Sequence, residues 1–126
     1  MKKTSGISKK MIAEVIIDKL IQEGKSNQIR TSYVKDYLPP EKIQVQGKDE
    51  TYVPDVKVLY DNDEANLYEI QLDDNIQTDK WKILSTYANK QNGNLYVVAP
   101  DWLRNQIKKE LIDNEIHAKI IYFETN

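Results

Sequence analysis

The sequence predicts an α/β fold in which helices flank a central mixed sheet. Apolar residues recur at helical spacing in three segments, and alternating or continuous apolar segments lie between them. The resulting order is helix, strands, hairpin, helix, strand, helix, strand, which is typical of a sheet covered by helices. With 126 residues, of which 40% are hydrophobic, we expect one domain over residues 1–126.

The first helix is predicted over Ser8 to Glu23. Its apolar residues share one face and a polar stripe at i,i+4 spacing covers another, so the helix is amphipathic. Gly24 is predicted to end it. The apolar face is expected to consist of Ala13, Ile16, Ile17, Leu20 and Ile21.

Residues 25–52 are less regular. The segment Leu38-Pro39-Pro40 interrupts any regular element, and Gln46-Gly47-Lys48-Asp49 indicates a turn. One or two short strands are predicted in this region, around Thr31 to Val34 and Ile43 to Val45.

Two alternating segments, Pro54 to Tyr60 and Leu67 to Leu72, predict an antiparallel hairpin. The polar segment between them, residues 61–66, is short enough for a direct reversal of the chain. Alternation divides each strand between two faces. In the first strand, one face has Val56, Val58 and Tyr60 and the other has Asp55, Lys57 and Leu59. In the second strand, one face has Tyr68, Ile70 and Leu72 and the other has Leu67, Glu69 and Gln71.

Two helix–strand units are predicted after the hairpin. A helix over Thr78 to Gln91 ends at Asn92-Gly93-Asn94, and Leu95 to Ala99 is an apolar run suited to a buried strand. A helix that begins at Pro100-Asp101 and a strand over Ile116 to Phe123 follow. The inward residues of the two helices are expected to be Trp81, Leu84, Tyr87 and Ala88, then Leu103, Ile107 and Leu111.

The composition excludes several kinds of site. The chain has no cysteine, which excludes disulfides, thiol nucleophiles and cysteine-ligated zinc. Its single histidine, His117, excludes a histidine-rich metal site within one chain, and we expect a structural role for it. Carboxylates, lysines and hydroxyl groups therefore remain as the chemical groups available for catalysis.

The net charge of −2 and the pI near 5.4 lack the basic signature of many nucleic-acid-binding domains. A local positive groove is compatible with this total, and a metal site needs acidic residues of its own. The amino terminus has no apolar stretch of the kind found in signal peptides, and no segment has the roughly 18 apolar residues that a membrane helix requires. These features predict a cytoplasmic protein that does not enter a membrane.

The hairpin carries a recognisable arrangement of acids. Asp55 follows Pro54 at the start of the first strand, and Glu69 lies on the second strand within Tyr68-Glu69-Ile70-Gln71. This arrangement resembles the active-site core of the PD-(D/E)xK nucleases. The resemblance implies a restriction-endonuclease-like core with the order α-β-β-β-α-β, to which this chain adds a helix and a strand.

Physical reasoning leads to the same pair of acids. Residues two apart on a strand share a face, and a hairpin partner can bring Asp55 beside Glu69. Two converging carboxylates repel each other unless a cation joins them, and oxygen ligands favour Mg²⁺ or Mn²⁺. By resemblance, the metal ligands would be Asp55, Glu69 and the backbone carbonyl of Ile70.

The sequence departs from the family pattern at Gln71, where the family usually places a lysine. An amide can orient water or contact phosphate but supplies no positive charge. Lys80, at the start of the second helix, is the favoured replacement for that lysine, and Lys57, on the face of Asp55, is the alternative. The family often has an acid on its first helix, which makes Glu14 a further candidate metal ligand.

Two functions follow as hypotheses. The first is a Mg²⁺-dependent endonuclease that hydrolyses DNA, which is favoured over RNA, and that acts as a homodimer or in a larger complex. The second is a catalytically inactive nuclease-like fold that serves as a DNA-binding or protein-interaction module. Three tyrosines, Tyr33, Tyr37 and Tyr52, are candidates for stacking on a base.

Overall fold

The computed structural model describes residues 6–24, 28–45 and 47–125. Three helices, seven strands and one short 3₁₀ helix lie within these ranges. In chain order they are α1 (Lys9–Gln22), β1 (Gln28–Thr31), β2 (Ile43–Gln44), β3 (Thr51–Tyr52), β4 (Val56–Leu59), β5 (Ala65–Ile70), α2 (Thr78–Lys90), β6 (Leu95–Pro100), the 3₁₀ helix (Asp101–Leu103), α3 (Arg104–Asp113) and β7 (Lys119–Phe123).

Five of the strands form one mixed sheet in the order β1-β4-β5-β6-β7. The pairs β1–β4 and β4–β5 are antiparallel, whereas β5–β6 and β6–β7 are parallel. Strands β2 and β3 pair separately. The prediction of an α/β fold with a mixed sheet flanked by helices is therefore confirmed.

Each face of the sheet has its own hydrophobic core. On one face, α1 packs against alternate residues of β4 and β5, including Val56, Val58 and Tyr68. On the other, α2 and α3 pack against Leu67 of β5 and against Leu95, Val97 and Ala99 of β6. The parallel strands β5 and β6 are buried on both faces, as expected for strands covered by helices on each side. None of the helices in the described ranges has the length and apolar content to cross a bilayer.

Helix α1 agrees with its predicted position. Ser8 is its N-cap, and the Ser8 hydroxyl accepts a hydrogen bond from the Met11 N–H at 3.2 Å. Four of the five residues predicted on its apolar face are buried, but Ile21 is 55% exposed. Ile21 lies at one edge of the apolar arc, and the arc is wider than the strip that contacts the sheet.

The predicted hairpin is present, with β4 antiparallel to β5. Strand β5 starts and ends two residues earlier than predicted, at Ala65 and Ile70. The last hydrogen bond between β5 and β6 runs from the Gln71 N–H to the Val98 carbonyl at 2.9 Å. The ladder ends there because Pro100, the next residue of β6 that would donate to β5, has no N–H.

The predicted strand over Thr31 to Val34 is wrong in its bounds. Strand β1 instead ends at Thr31, whose N–H donates to the Leu38 carbonyl at 2.9 Å and closes a loop over the intervening residues. Strand β2 is shorter than predicted by one residue, and its partner β3 was not predicted. Of the predicted turn after β2, Gln46 lies outside the described residues.

The last two helix–strand units match the prediction except at β7. That strand begins at Lys119, three residues later than predicted. Ile116 is buried in the core beside α3, and its N–H donates to the Leu111 carbonyl at 2.9 Å. Its apolar side chain therefore closes the carboxyl end of α3 and does not belong to the strand.

Candidate functional site

Asp55 and Glu69 lie side by side at the open end of the β4–β5 hairpin. The register pairs Val56 with Tyr68, so the next residues outward are Asp55 and Glu69. Two hydrogen bonds join their strands: the Asp55 N–H donates to Glu69 Oε2 at 3.0 Å, and the Ile70 N–H donates to Asp55 Oδ2 at 2.7 Å. Both residues are buried, with exposures of 3% and 4%. Asp55 and Glu69 are therefore neighbours across adjacent strands, as predicted, and each carboxylate accepts a hydrogen bond from the backbone of the other acid's strand.

A lysine from each side of the sheet pairs with one of these acids. Lys9 at the start of α1 places Nζ 3.2 Å from Asp55 Oδ1, and Lys80 in the first turn of α2 places Nζ 3.0 Å from Glu69 Oε1. The Lys80 side chain is only 15% exposed, whereas that of Lys9 is 38% exposed. The end of the hairpin therefore holds two adjacent buried acids, each paired with a lysine from a different helix.

The electrostatics of Glu69 are unusual for a carboxylate. Burial, and then the neighbouring charge of Asp55, raise its pKa to about 7, although Lys80 and the Asp55 N–H oppose the change. For Lys9, burial alone would lower the pKa, but the charges of Asp55 and Tyr33 and the hydrogen bond to Asp55 raise it. Glu69 can therefore hold or release a proton near neutral pH, and Lys9 stays charged.

A backbone carbonyl is the third candidate ligand named by the resemblance. The Gln71 N–H points to β6, where it donates to the Val98 carbonyl. In a planar trans peptide the N–H and the C=O point in opposite directions, so the carbonyl of Ile70 points to the β4 side, where Asp55 lies.

These oxygens suit a hard divalent cation. Within the described ranges, no group of three or more His, Cys, Asp or Glu side chains is placed to hold a metal. A site built from two carboxylates and one carbonyl leaves positions for water or phosphate oxygens. Mg²⁺ meets this condition, because it keeps several waters and uses one or two carboxylates.

A polar cavity of about 260 Å³ opens beside Glu69. Its wall includes both lysines of the site together with Gln71, Asn75 and Trp81. A larger groove of about 730 Å³ lies between α1 and strands β6 and β7, but its lining is mostly apolar and includes neither acid. Of these two cavities, only the smaller contains the buried acid Glu69 together with Lys9 and Lys80.

Gln71 lines this cavity, but its amide is engaged in the loop that follows β5. The Gln71 Nε2 group donates to the Asp73 carbonyl at 2.8 Å and to the Asn75 carbonyl at 3.2 Å. These bonds fix the path of the chain between β5 and α2. Gln71 therefore positions the loop that leads to Lys80 and places no charge beside the acids.

The two lysines predicted as alternatives have different surroundings. Lys80 contacts Glu69, whereas the Lys57 ammonium donates to the Tyr87 hydroxyl at 3.1 Å and lies 5.4 Å from the centre of that ring. Tyr87 is in the second half of α2, and Lys80 is in its first turn. Of the two, only Lys80 is brought to the acids.

Glu14 does not join the site. It is exposed on α1, five residues along the chain from Lys9, or about 7.5 Å along the helix axis. The first helix contributes a cation, Lys9, where the resemblance led us to expect an acid.

Sequence reasoning missed Lys9, although a signal was present. Lys9 precedes Ala13 by four residues and Ile16 by seven, so it continues the buried stripe of α1 to its first turn. It also missed Thr31, whose buried hydroxyl donates to the Asp55 carbonyl at 2.8 Å. Nothing in the local sequence marks Thr31, because its partner lies 24 residues away.

Comparisons with known proteins do not assign the chain to a family. No protein-family model matches it, and no curated protein or solved structure matches it at the threshold of significance applied. The interpretation of the site therefore depends on its own geometry and chemistry.

Proposed function

We propose that this protein is a metal-dependent nuclease that hydrolyses DNA phosphodiester bonds. The observation that carries the proposal is the meeting of Asp55 and Glu69 across β4 and β5, with Lys80 3.0 Å from Glu69. A buried acid with a raised pKa that lines a polar cavity, as Glu69 does, is typical of a catalytic site. Each side chain needed for metal-assisted hydrolysis of a phosphodiester has a counterpart here.

The order of elements also supports the proposal. Helix α1, the antiparallel strands β1, β4 and β5, helix α2 and the parallel strand β6 follow one another as in the PD-(D/E)xK core, and α3 and β7 extend it. The acids lie at the start of β4 and near the end of β5, which are the positions that this resemblance implies.

Each residue then has a role. Asp55, Glu69 and the Ile70 carbonyl would hold Mg²⁺ or Mn²⁺, which when bound supplies a Lewis acid and lowers the pKa of water. Lys80 takes the place of the motif lysine and stabilises negative charge that develops on the phosphate. Cutting both strands of a duplex requires two sites, so the proposal includes a homodimer or a larger complex.

A second candidate function is a nuclease-like fold without catalysis that binds DNA or a protein. The observation in its favour is that each carboxylate already has an ammonium partner and a backbone N–H donor. A divalent ion would have to displace or share these partners. The acidic pI of 5.4 points in the same direction.

Plasmid cleavage with Mg²⁺ or Mn²⁺ separates the two functions. Under the first, wild type cuts, Asp55→Asn and Glu69→Gln do not, and calorimetry shows that both variants lose Mn²⁺ binding. Asp113→Asn is the matched control, because Asp113 is an exposed acid on α3 that pairs with Lys109. If wild type binds neither metal and cuts nothing while its thermal melting shows a folded protein, the nuclease proposal is wrong.

A further inference from the structure

The loop between β1 and β2 is a closed structure beside the acids. Its ends are joined by the hydrogen bond from the Thr31 N–H to the Leu38 carbonyl, and Asp36 adopts a φ of 75° that reverses the chain. The Tyr33 N–H donates to the Thr31 hydroxyl at 3.2 Å, which fixes the start of the loop. We call residues 32–37 the β1–β2 loop.

Two contacts attach this loop to the candidate site. The Thr31 hydroxyl that accepts from Tyr33 also donates to the Asp55 carbonyl at 2.8 Å. The Lys9 ammonium, 3.2 Å from Asp55 Oδ1, lies 5.6 Å from the centre of the Tyr33 ring. Lys9 therefore links the Tyr33 ring to the Asp55 carboxylate.

Tyr33 is also available to a ligand. It is 36% exposed, and because Lys9 lies over one face of the ring, a flat partner would stack on the opposite face. The neighbouring Lys35 is exposed as well. An exposed aromatic ring beside a cation is a combination that binds single-stranded nucleic acid, since its bases stack and its phosphates need positive charge.

The exposed ring of Tyr33 favours a single strand over a duplex. Duplex binding depends strongly on neutralising many phosphates, and this chain has a net charge of −2. Stacking of a base on a ring needs no charge but requires a base that is out of the helix. A substrate with an unpaired base next to the scissile phosphate satisfies both conditions.

We propose that Tyr33 stacks on an unpaired base of single-stranded DNA whose phosphate lies at Asp55 and Glu69, with Lys9 and Lys35 contacting the flanking backbone. This rests on the proposed function, because it takes the phosphate position from the candidate nuclease site. The substrate class is then single-stranded DNA or the single-stranded part of a branched or gapped duplex.

The test is a binding titration in a chelating buffer, so that no divalent metal is present and the DNA stays intact. The probes are a single-stranded oligonucleotide containing 2-aminopurine and a blunt duplex of the same sequence. We expect wild type to bind the single strand more tightly and to quench the 2-aminopurine. Tyr33→Leu should bind the single strand about tenfold more weakly, as expected for loss of one base–aromatic stack, and Tyr33→Phe should bind as wild type does.

The matched control is Tyr122→Leu, which removes a ring from β7 at the opposite edge of the sheet and should leave binding unchanged. Thermal melting verifies that each variant is folded. Equal binding of the single strand by wild type and Tyr33→Leu, or tighter binding of the duplex by wild type, overturns the inference.

Failure of the stacking inference and failure of the nuclease proposal give different results. If the stacking differences appear but no metal supports cleavage, Tyr33 has the inferred role in a binding module. If wild type cuts DNA and Tyr33→Leu binds and cuts single strands equally well, the nuclease proposal stands and the role of Tyr33 is wrong.

Discussion

The two ends of the β4–β5 hairpin are held by different forces. At the turn end, main-chain hydrogen bonds dominate: the Tyr60 N–H donates to the Glu64 carbonyl at 2.9 Å, and the Ala65 N–H donates to the Gln91 carbonyl at 3.3 Å. At the open end, two buried acids are paired with Lys9 and Lys80. One end is therefore sterically tight, with the acids Asp61 and Asp63 exposed to solvent, and the other holds buried charges.

This difference indicates where stability and chemistry lie. Hydrogen bonds between backbone groups at the turn end fix the register, which decides that Asp55 faces Glu69. Buried ion pairs contribute little net stability, because desolvation offsets much of the attraction between the charges. A protein that keeps four charges at one end of a hairpin gains no stability that an apolar replacement could not supply, which favours a functional reason for them.

The largest expected effect comes from removing one partner at the charged end. Lys80→Met leaves Glu69 buried beside Asp55 without its cation, and we expect the free energy of unfolding to fall by about 3 kcal/mol at about pH 8. The double variant Glu69→Gln/Lys80→Met removes both charges and should recover most of that loss. Urea unfolding measures the stability of the single and the double variant. A double variant no more stable than Lys80→Met would contradict the explanation that an unpaired buried Glu69 causes the loss.

The nuclease proposal predicts unequal roles for the two buried lysines. Lys80→Met should lower the rate of plasmid cleavage about a hundredfold, the size typical of losing one group that stabilises transition-state charge. Lys57→Met, which disrupts only the contact with Tyr87, should leave the rate of folded protein nearly unchanged. If Lys57→Met lost more cleavage activity than Lys80→Met, Lys57 and not Lys80 would have the role of the motif lysine.

Steric crowding at the turn end predicts a cost for Gly93→Ala. A Cβ on Gly93 would lie 1.8 Å from the Ala65 carbonyl oxygen, so β5 or the α2–β6 connection must move. We expect a loss of about 2 kcal/mol or more in the free energy of unfolding. Gly47→Ala is the control: its φ of 84° adds only backbone strain, about 1 kcal/mol, because no atom lies within 4 Å of the added Cβ.

The raised pKa of Glu69 predicts how stability depends on pH. The folded state binds this proton with a pKa of about 7, and the unfolded chain releases it near the ordinary value of 4.5. The stabilisation is therefore present below the unfolded pKa and is lost as pH rises through about 7. Glu69→Gln should remove this part of the slope, which unfolding curves at about pH 5 and about pH 8 would measure. Parallel pH dependence in wild type and Glu69→Gln would exclude Glu69 as its source.

The smallest effect concerns the start of α1, which carries Lys9. Ser8→Ala removes the cap that accepts from the Met11 N–H and should lower the free energy of unfolding by about 1 kcal/mol. The fraying of the first turn would also loosen Lys9 from Asp55. Thermal unfolding checks the stability, and an unchanged melting temperature would show that the cap is dispensable.

Prediction from sequence succeeded where the determining contacts are local. The amphipathic spacing of α1 and α2 and the alternation on either side of residues 61–66 depend on near neighbours, so the helices and the hairpin could be predicted. It failed at β1, because the bond between Thr31 and Leu38 that ends this strand belongs to a closed loop. The exposure of Ile21 also depends on how much of α1 the sheet covers, which spacing alone does not reveal.

By itself, the sequence determined that Asp55 and Glu69 lie on neighbouring strands of one hairpin. The strand period of two and a short polar turn leave few alternatives. The tertiary structure decided among the cations: the sequence favoured Lys80, left Lys57 as an alternative and did not identify Lys9. Lys9 and Lys80 reach Asp55 and Glu69 because α1 and α2 dock on opposite faces of the sheet, while Lys57 is drawn to Tyr87. Partners far apart in the chain meet only when packing brings their elements together, and no local pattern records that docking.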